Sequence, residues 1–349
     1  MRFLLHGGIF AILGMGLLTS TALAANKPNY HVAATWKLAG EGNWDYLTLD
    51  SNAHRLYIAR GTRIQVISTD TGEPIGEVAG LGGAHGVALD REAHRAYATS
   101  GKTNSVVVFD TQTLKPIGEP IAVGEKPDAI LIEPTTKRVW AFDADSNAVS
   151  IIDPQTAKVV QTVALGGNPE FGVADGAGHV WVNIESTSEV VELDAADGKV
   201  LRRCALSPGK EPTGLAYDAK HGLLYSGCAN KTMSVVDAAT GKLVTTIPIG
   251  EGVDAATFDP NRGLAFSSNG RDGTLSIIGV DGPNLALLNT IATHSGARTM
   301  ALDPQTGDVF VVGADYAPAQ PTANGGRSQR PRTVPGSVVV LKLEPDIAP

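Results

Sequence analysis

The chain is poor in the features that mark most catalytic and membrane proteins. It has 349 residues but two cysteines, Cys204 and Cys228, neither in a C-x-x-C or C-x-x-C-H setting. A covalently attached c-type haem is therefore excluded. Aromatic residues make up 5% of the chain, so packing must rest on Val, Ile, Leu and Ala. There is no G-x-S-x-G elbow, no P-loop and no H-E-x-x-H, so no hydrolase, nucleotide-binding or zincin mechanism can be assigned. Beyond the N-terminus, no segment is apolar for long enough to cross a bilayer. Basic residues are outnumbered, 28 against 36 acidic, and this balance argues against nucleic acid as a partner.

Turns, by contrast, are abundant, with 40 Gly and 20 Pro. Residues 1–24 read as a secretory signal peptide. Arg2 is followed by an apolar stretch from Phe3 to Leu18, and Ala22-Leu23-Ala24 supplies the small residues of a cleavage site before Ala25. The expected location is periplasmic or secreted, with no transmembrane segment after cleavage. That compartment permits a disulfide between Cys204 and Cys228; two buried free thiols are the alternative.

A unit of about 42 residues recurs seven times. Its first part is an apolar strand ending in an acid: Asp50, Asp90, Glu133, Asp175, Asp218, Asp259 and Asp303, at steps of 40, 43, 42, 43, 41 and 44. A second strand carries an aromatic, namely Tyr57, Tyr97, Trp140, Trp181, Tyr225, Phe266 and Phe310. A third runs apolar toward an acid in most units, and a fourth follows a polar turn. Four short strands at this period predict an all-β, seven-bladed β-propeller of four-stranded blades over residues 25–349, a single domain. The aromatics are expected to pack between blades.

Only six fourth strands follow the seven third strands. The missing one is YHVAATWKLAG (30–40) ahead of the first unit, and its pairing with the last blade would close the ring and protect an open edge. Residues 314–337, rich in Pro, Gly and Arg, interrupt the last blade; such a segment is either functional, as a lid over the channel mouth, or disordered.

The units RAYATSGKTNSVVVFDTQTLK (95–115) and LLYSGCANKTMSVVDAATGKL (223–243) carry a family resemblance. The chain resembles the YVTN-repeat (YncE-like) β-propeller family of exported bacterial proteins over roughly residues 30–345. The tetrapeptide Tyr-Val-Thr-Asn is not intact; Tyr97-Ala98-Thr99-Ser100 is near it. The resemblance implies the fold strongly and an activity hardly at all.

Function is sought where the repeat fails to repeat. Five residues before each terminal acid stand Asp45, His85, Asp128, Glu170, Thr213, Asp254 and Arg298. In a propeller these positions converge at one mouth of the channel. Asp45, His85, Asp128 and Glu170, from consecutive blades, suit a divalent metal such as Zn, Mn, Fe or Ca. They equally suit acid/base chemistry. A water-filled channel with no chemistry is the plain alternative. A second ring from neighbouring loops would hold Arg60, Lys102, Asn104, Asp145, Glu185, Lys231, Asn269 and Arg271. The function expected is a monomeric exported binding or scaffold propeller that presents an acidic mouth to a small ligand, metal ion or protein partner. A metal-assisted lyase or lactonase-type hydrolase is the alternative.

Overall fold

The computed structural model describes residues 29–282, 284–317 and 332–346. The expected signal peptide and the middle of the 314–337 segment lie outside them. Apart from one short 3-10 turn at Gly101–Thr103, the regular elements among the described residues are strands. They form seven four-stranded antiparallel blades. Blade 3 shows the plan: Pro127–Ile132, Val139–Asp143, Ala148–Asp153 and Lys158–Ala164 pair in sequence order from the centre outward. Blades 4, 5 and 6 repeat it over 169–205, 212–248 and 253–292. The first strands of neighbouring blades touch all round the ring, blade 7 against blade 1 included.

Two features join the units. Blades 1 and 2 share a 17-residue strand, Pro74–Asp90, whose first half is the outer strand of blade 1 and whose second half is the inner strand of blade 2. Tyr30–Lys37 is the outer strand of blade 7, paired antiparallel from Tyr30 opposite Pro345 to Lys37 opposite Val339 with one bulge at Ala33. The chain thus closes its ring with a strand from its own beginning. Tyr30 also sets its ring edge-on to Phe266 of blade 6 at 5.5 Å.

The repeated residues have physical tasks. Each terminal acid accepts a hydrogen bond from a backbone N–H two or three residues on, as in Glu133 with Thr135 N at 3.0 Å and Asp259 with Asn261 N at 2.9 Å. The acid therefore closes the turn between the first and second strands. The seven aromatics are buried, and Tyr57 meets Phe109 of the next blade at 6.2 Å. In the outer strands a bulge recurs at one point, leaving Ile75, Val160, Leu201 and Val244 unpaired and outward-facing. A bulge on an exposed edge strand twists it away from edge-to-edge association.

One expectation is corrected. Cys204 and Cys228 do not pair: both thiols are free and buried. Cys204 belongs to the outer strand of blade 4. Cys228 lies at the end of the second strand of blade 5, with Ser234 Oγ 3.9 Å from its sulfur. No helix among the described residues is long and apolar enough to cross a membrane.

Candidate functional site: an acidic cup at the channel mouth

Five of the seven strand-opening residues are anchored through their carbonyls by the preceding blade. Tyr46 N donates to His85 O at 3.2 Å, and Thr99 Oγ1 to Asp128 O at 2.7 Å. Asn183 Nδ2 donates to Thr213 O at 2.9 Å, and Thr299 Oγ1 to Asp45 O at 2.8 Å. Ser268 Oγ does the same for Arg298 O. Thr99, Asn183 and Ser268 each stand two residues after the conserved-position aromatic of their strand. A polar residue there thus reaches the next blade, and this anchoring was not anticipated from sequence, although the spacing carries the signal.

Five of the seven predicted residues form one continuous network. His85 Nδ1 lies 2.6 Å from Asp45 Oδ2 and 3.3 Å from Asp128 Oδ1. Arg298 Nε donates to Asp254 Oδ2 at 2.7 Å, its Nη2 donates to Trp44 O at 2.9 Å, and Nη2 lies 3.7 Å from Asp45 Oδ1. Asp45 therefore bridges the imidazole and the guanidinium. The guanidinium also sits 5.7 Å over the Trp44 ring.

The Nδ1 proton can point to only one acceptor, and the short contact gives it to Asp45. Asp128 Oδ1 is consequently buried with charge nearby but no hydrogen bond. Burial, then the Asp45 charge, raises the Asp128 carboxyl pKa. Burial likewise raises Asp254, against the opposing pull of Arg298. At His85, burial disfavours the charged ring, but the Asp45 hydrogen bond and the two carboxylate charges outweigh it and its pKa rises. At Arg298 burial is outweighed by Asp254 and Asp45.

Glu170 stands apart from the ion-paired network. Burial, with the charges of Asp128 and Asp254, pushes its carboxyl up to about 9, so it keeps its proton at neutral pH. Thr213 faces the backbone instead, donating to Val253 O at 3.0 Å.

The sequence GGAHG places the imidazole. A Cβ at Gly101 would come within 2.9 Å of His85 Nε2, and one at Gly86 within 3.1 Å of Asp128 O. Gly83 has φ +71, a conformation that other residues rarely adopt. The ring is thus held against bare backbone.

Below the mouth the structure adds residues that the repeat alignment passed over. The position after each strand-opening residue is Tyr46, Gly86, Ala129, Phe171, Gly214, Ala255 and Thr299. Small residues leave space, and the two aromatics fill it: the rings of Tyr46 and Phe171 meet at 5.2 Å. Tyr46 of blade 1 and Phe171 of blade 4 thereby meet one residue beyond the polar strand-opening positions, an arrangement we call the cup. The carboxylates of Asp128, Asp254, Glu170 and Asp45 all act on the buried Tyr46 hydroxyl and, after burial itself, help raise its pKa.

The second ring is not assembled as expected. Arg60 and Asn269 are fully buried. Arg60 donates to Gly40 O at 3.1 Å and Gly42 O at 3.3 Å, stapling the segment before blade 1. Asn269 bonds Ser276 at 2.9 Å within its own blade. Lys231 and Arg271 pair with Glu251 at 2.9 and 3.0 Å.

No family model and no curated protein sequence matches the chain. Solved structures do. Hydrazine synthase from Kuenenia stuttgartiensis is similar with a TM-score of 0.67 and 16% identity, over 78% of this chain and 94% of that one. The WD40 repeats of RRP9 are similar with a TM-score of 0.74 and 10% identity, over 90% of this chain and all of that one. At such identities the likeness shows the propeller fold alone. The chain is a β-propeller.

Proposed function

We propose that this chain is an exported propeller of the YVTN-repeat kind and works as a binding protein, taking a small cationic guest into the cup. The observation that carries the reading is the convergence of Asp45, Asp128, Asp254 and Glu170 with one imidazole and one guanidinium beside the Tyr46 and Phe171 rings. Nothing in the fold requires so many half-buried carboxylates there. Arg298 and His85 offset part of their mutual repulsion and protonation of Glu170 another part, and a bound cation would offset the rest. Export rests on the signal-like residues 1–24, and a periplasmic or secreted location follows from it.

The test is thermal unfolding at neutral pH with Zn²⁺, Ca²⁺ or spermidine as probe. At least one should raise the midpoint of the wild type and leave the Asp128→Asn/Asp254→Asn double variant unmoved. If none does, the cup is not a cation site. A second reading, metal-assisted lyase or lactonase-type chemistry, is favoured by one observation, the protonated Glu170, which is poised as a general acid. Hydrolysis of a lactone panel by metal-loaded protein, lost in Glu170→Gln, would support it; no turnover by the wild type would dismiss it.

A further inference from the structure

We propose that Asp45, His85 and Asp128 form a binding site for a divalent transition-metal ion such as Zn²⁺, with the ion's remaining positions open to the cup. This rests on the reading of the cup as a cation site and names the cation.

Three blades each deliver one donor atom, and the three lie within 4.8 Å of one another. They are His85 Nδ1, Asp45 Oδ2 and Asp128 Oδ1. One imidazole nitrogen with two carboxylates favours a zinc-like ion over the all-oxygen shells that Ca²⁺ and Mg²⁺ prefer. Three protein donors leave a position for water or a guest, the pattern of an open rather than a structural site.

A second observation points the same way. Asp128 Oδ1 is buried and accepts no hydrogen bond although it faces the other two donors. A buried carboxylate oxygen without a partner is costly. An ion between the donors supplies that partner, in the place the shared proton now takes between His85 and Asp45.

The cluster is slightly too tight for an ion as it stands. At donor bonds of about 2.0–2.2 Å, tetrahedral donors lie about 3.4 Å apart. The 3.3 Å pair already fits, and the 2.6 Å pair must open by less than about 1 Å. Asp45 can make that swing, since its other oxygen is held only loosely, 3.7 Å from Arg298 Nη2. His85 is held by the glycine backbone around it. Arg298, itself fixed by Asp254 and Trp44 O, stays beside Asp45 as a counter-charge while that carboxylate moves. Glu170 is not among the clustered donors, which trims the four-residue set expected from sequence to three.

Isothermal titration of the purified chain with Zn²⁺, and visible absorption with Co²⁺ as a spectroscopic probe, test the assignment. The wild type should bind one ion per chain and give Co²⁺ bands characteristic of low coordination with a nitrogen donor. His85→Ala and Asp128→Asn should each weaken binding by more than the roughly 10–100-fold that loss of an outer partner costs. Circular dichroism and the unfolding midpoint establish that the variants are folded. Should His85→Ala prove unfolded, His85→Gln and the Asp128→Asn arm decide. Failure of the wild type to bind either ion, or unchanged affinity in both variants, overturns the site. Spermidine stabilisation without Zn²⁺ or Co²⁺ binding would leave the cation-binding cup standing and sink the metal site alone.

Discussion

Asp143 tests how burial sets ionisation in this fold. It ends the second strand of blade 3 and is fully buried. Ser150 Oγ donates to its Oδ2 at 2.6 Å, while Oδ1 has no partner. Burial, partly offset by the hydrogen bonds from Ser150 and Gly124, moves its pKa from 3.8 to about 6, and no charged side chain contributes. The folded protein therefore keeps a proton that the unfolded chain releases. The resulting stability is full below about pH 3.8 and is lost as pH rises through about 6. The displacement corresponds to about 3 kcal/mol in all. Roughly half of it, about 1.5 kcal/mol, falls between pH 5 and pH 8. Asp143→Asn keeps the shape and cannot ionise. Urea unfolding of both proteins at pH 5 and pH 8 isolates the effect, because the mouth carboxylates are common to both and cancel. The stability of the variant relative to wild type should improve by about 1.5 kcal/mol on going to pH 8. Parallel pH profiles would refute the argument that burial alone governs this carboxyl.

Three further expectations follow from the same geometry. Deleting residues 29–38 removes the strand paired with Val339–Pro345 and uncovers Phe266, so it should cost far more than a terminal trim; an unchanged urea midpoint would refute strand closure. Arg60→Ala leaves Gly40 O and Gly42 O without their buried donor and opens a cavity, for a loss of about 3 kcal/mol in urea unfolding; a loss within error would mean that the seam does not depend on the guanidinium. Cys204 and Cys228 should both react with a thiol reagent in denaturant without reductant and stay unreactive in the folded protein; fewer than two reactive thiols in denaturant would restore the disulfide.

The fold was legible because its determinants repeat. Turn-closing acids, buried aromatics and apolar strands each serve one blade, and a blade needs them wherever it stands. Closure could be read from Tyr30–Lys37 for a related reason: a missing strand at one end of a periodic chain has to be supplied from the other. The fused strand Pro74–Asp90 was not legible, since Gly80, Gly82 and Gly83 read as a turn between two blades, whereas the strand runs on through them with Gly80 and Gly83 at positive φ. Arg60 was misjudged for a physical reason. A Lys or Arg at a strand end usually reaches solvent, but here the two glycine carbonyls of the segment preceding blade 1 turn inward and take up the guanidinium. The disulfide depended on the distance between two strands of different blades, which spacing along the chain does not encode.

The mouth obeys a different rule from the rest of the blade. At the turn, seven acids each accept from a backbone N–H two or three residues on, a bond that an apolar residue there would lose. At the mouth, five of the seven carbonyls are bound by neighbouring blades, so the turn imposes no single side chain on these positions. Selection for stability alone would fill such a position with Thr, as at Thr213, whose hydroxyl is satisfied by Val253 O. Instead four carboxylates, an imidazole and a guanidinium converge there, with Asp128 left short of a hydrogen bond and Glu170 driven to about 9. A layer down, the same freedom admits Tyr46 and Phe171 among small residues, and their rings meet. Both departures fall in adjacent layers of the same strands. The strand-opening layer and the one beside it are thus where this chain departs from its own repeat, and the departure places charge where the repeat would place none.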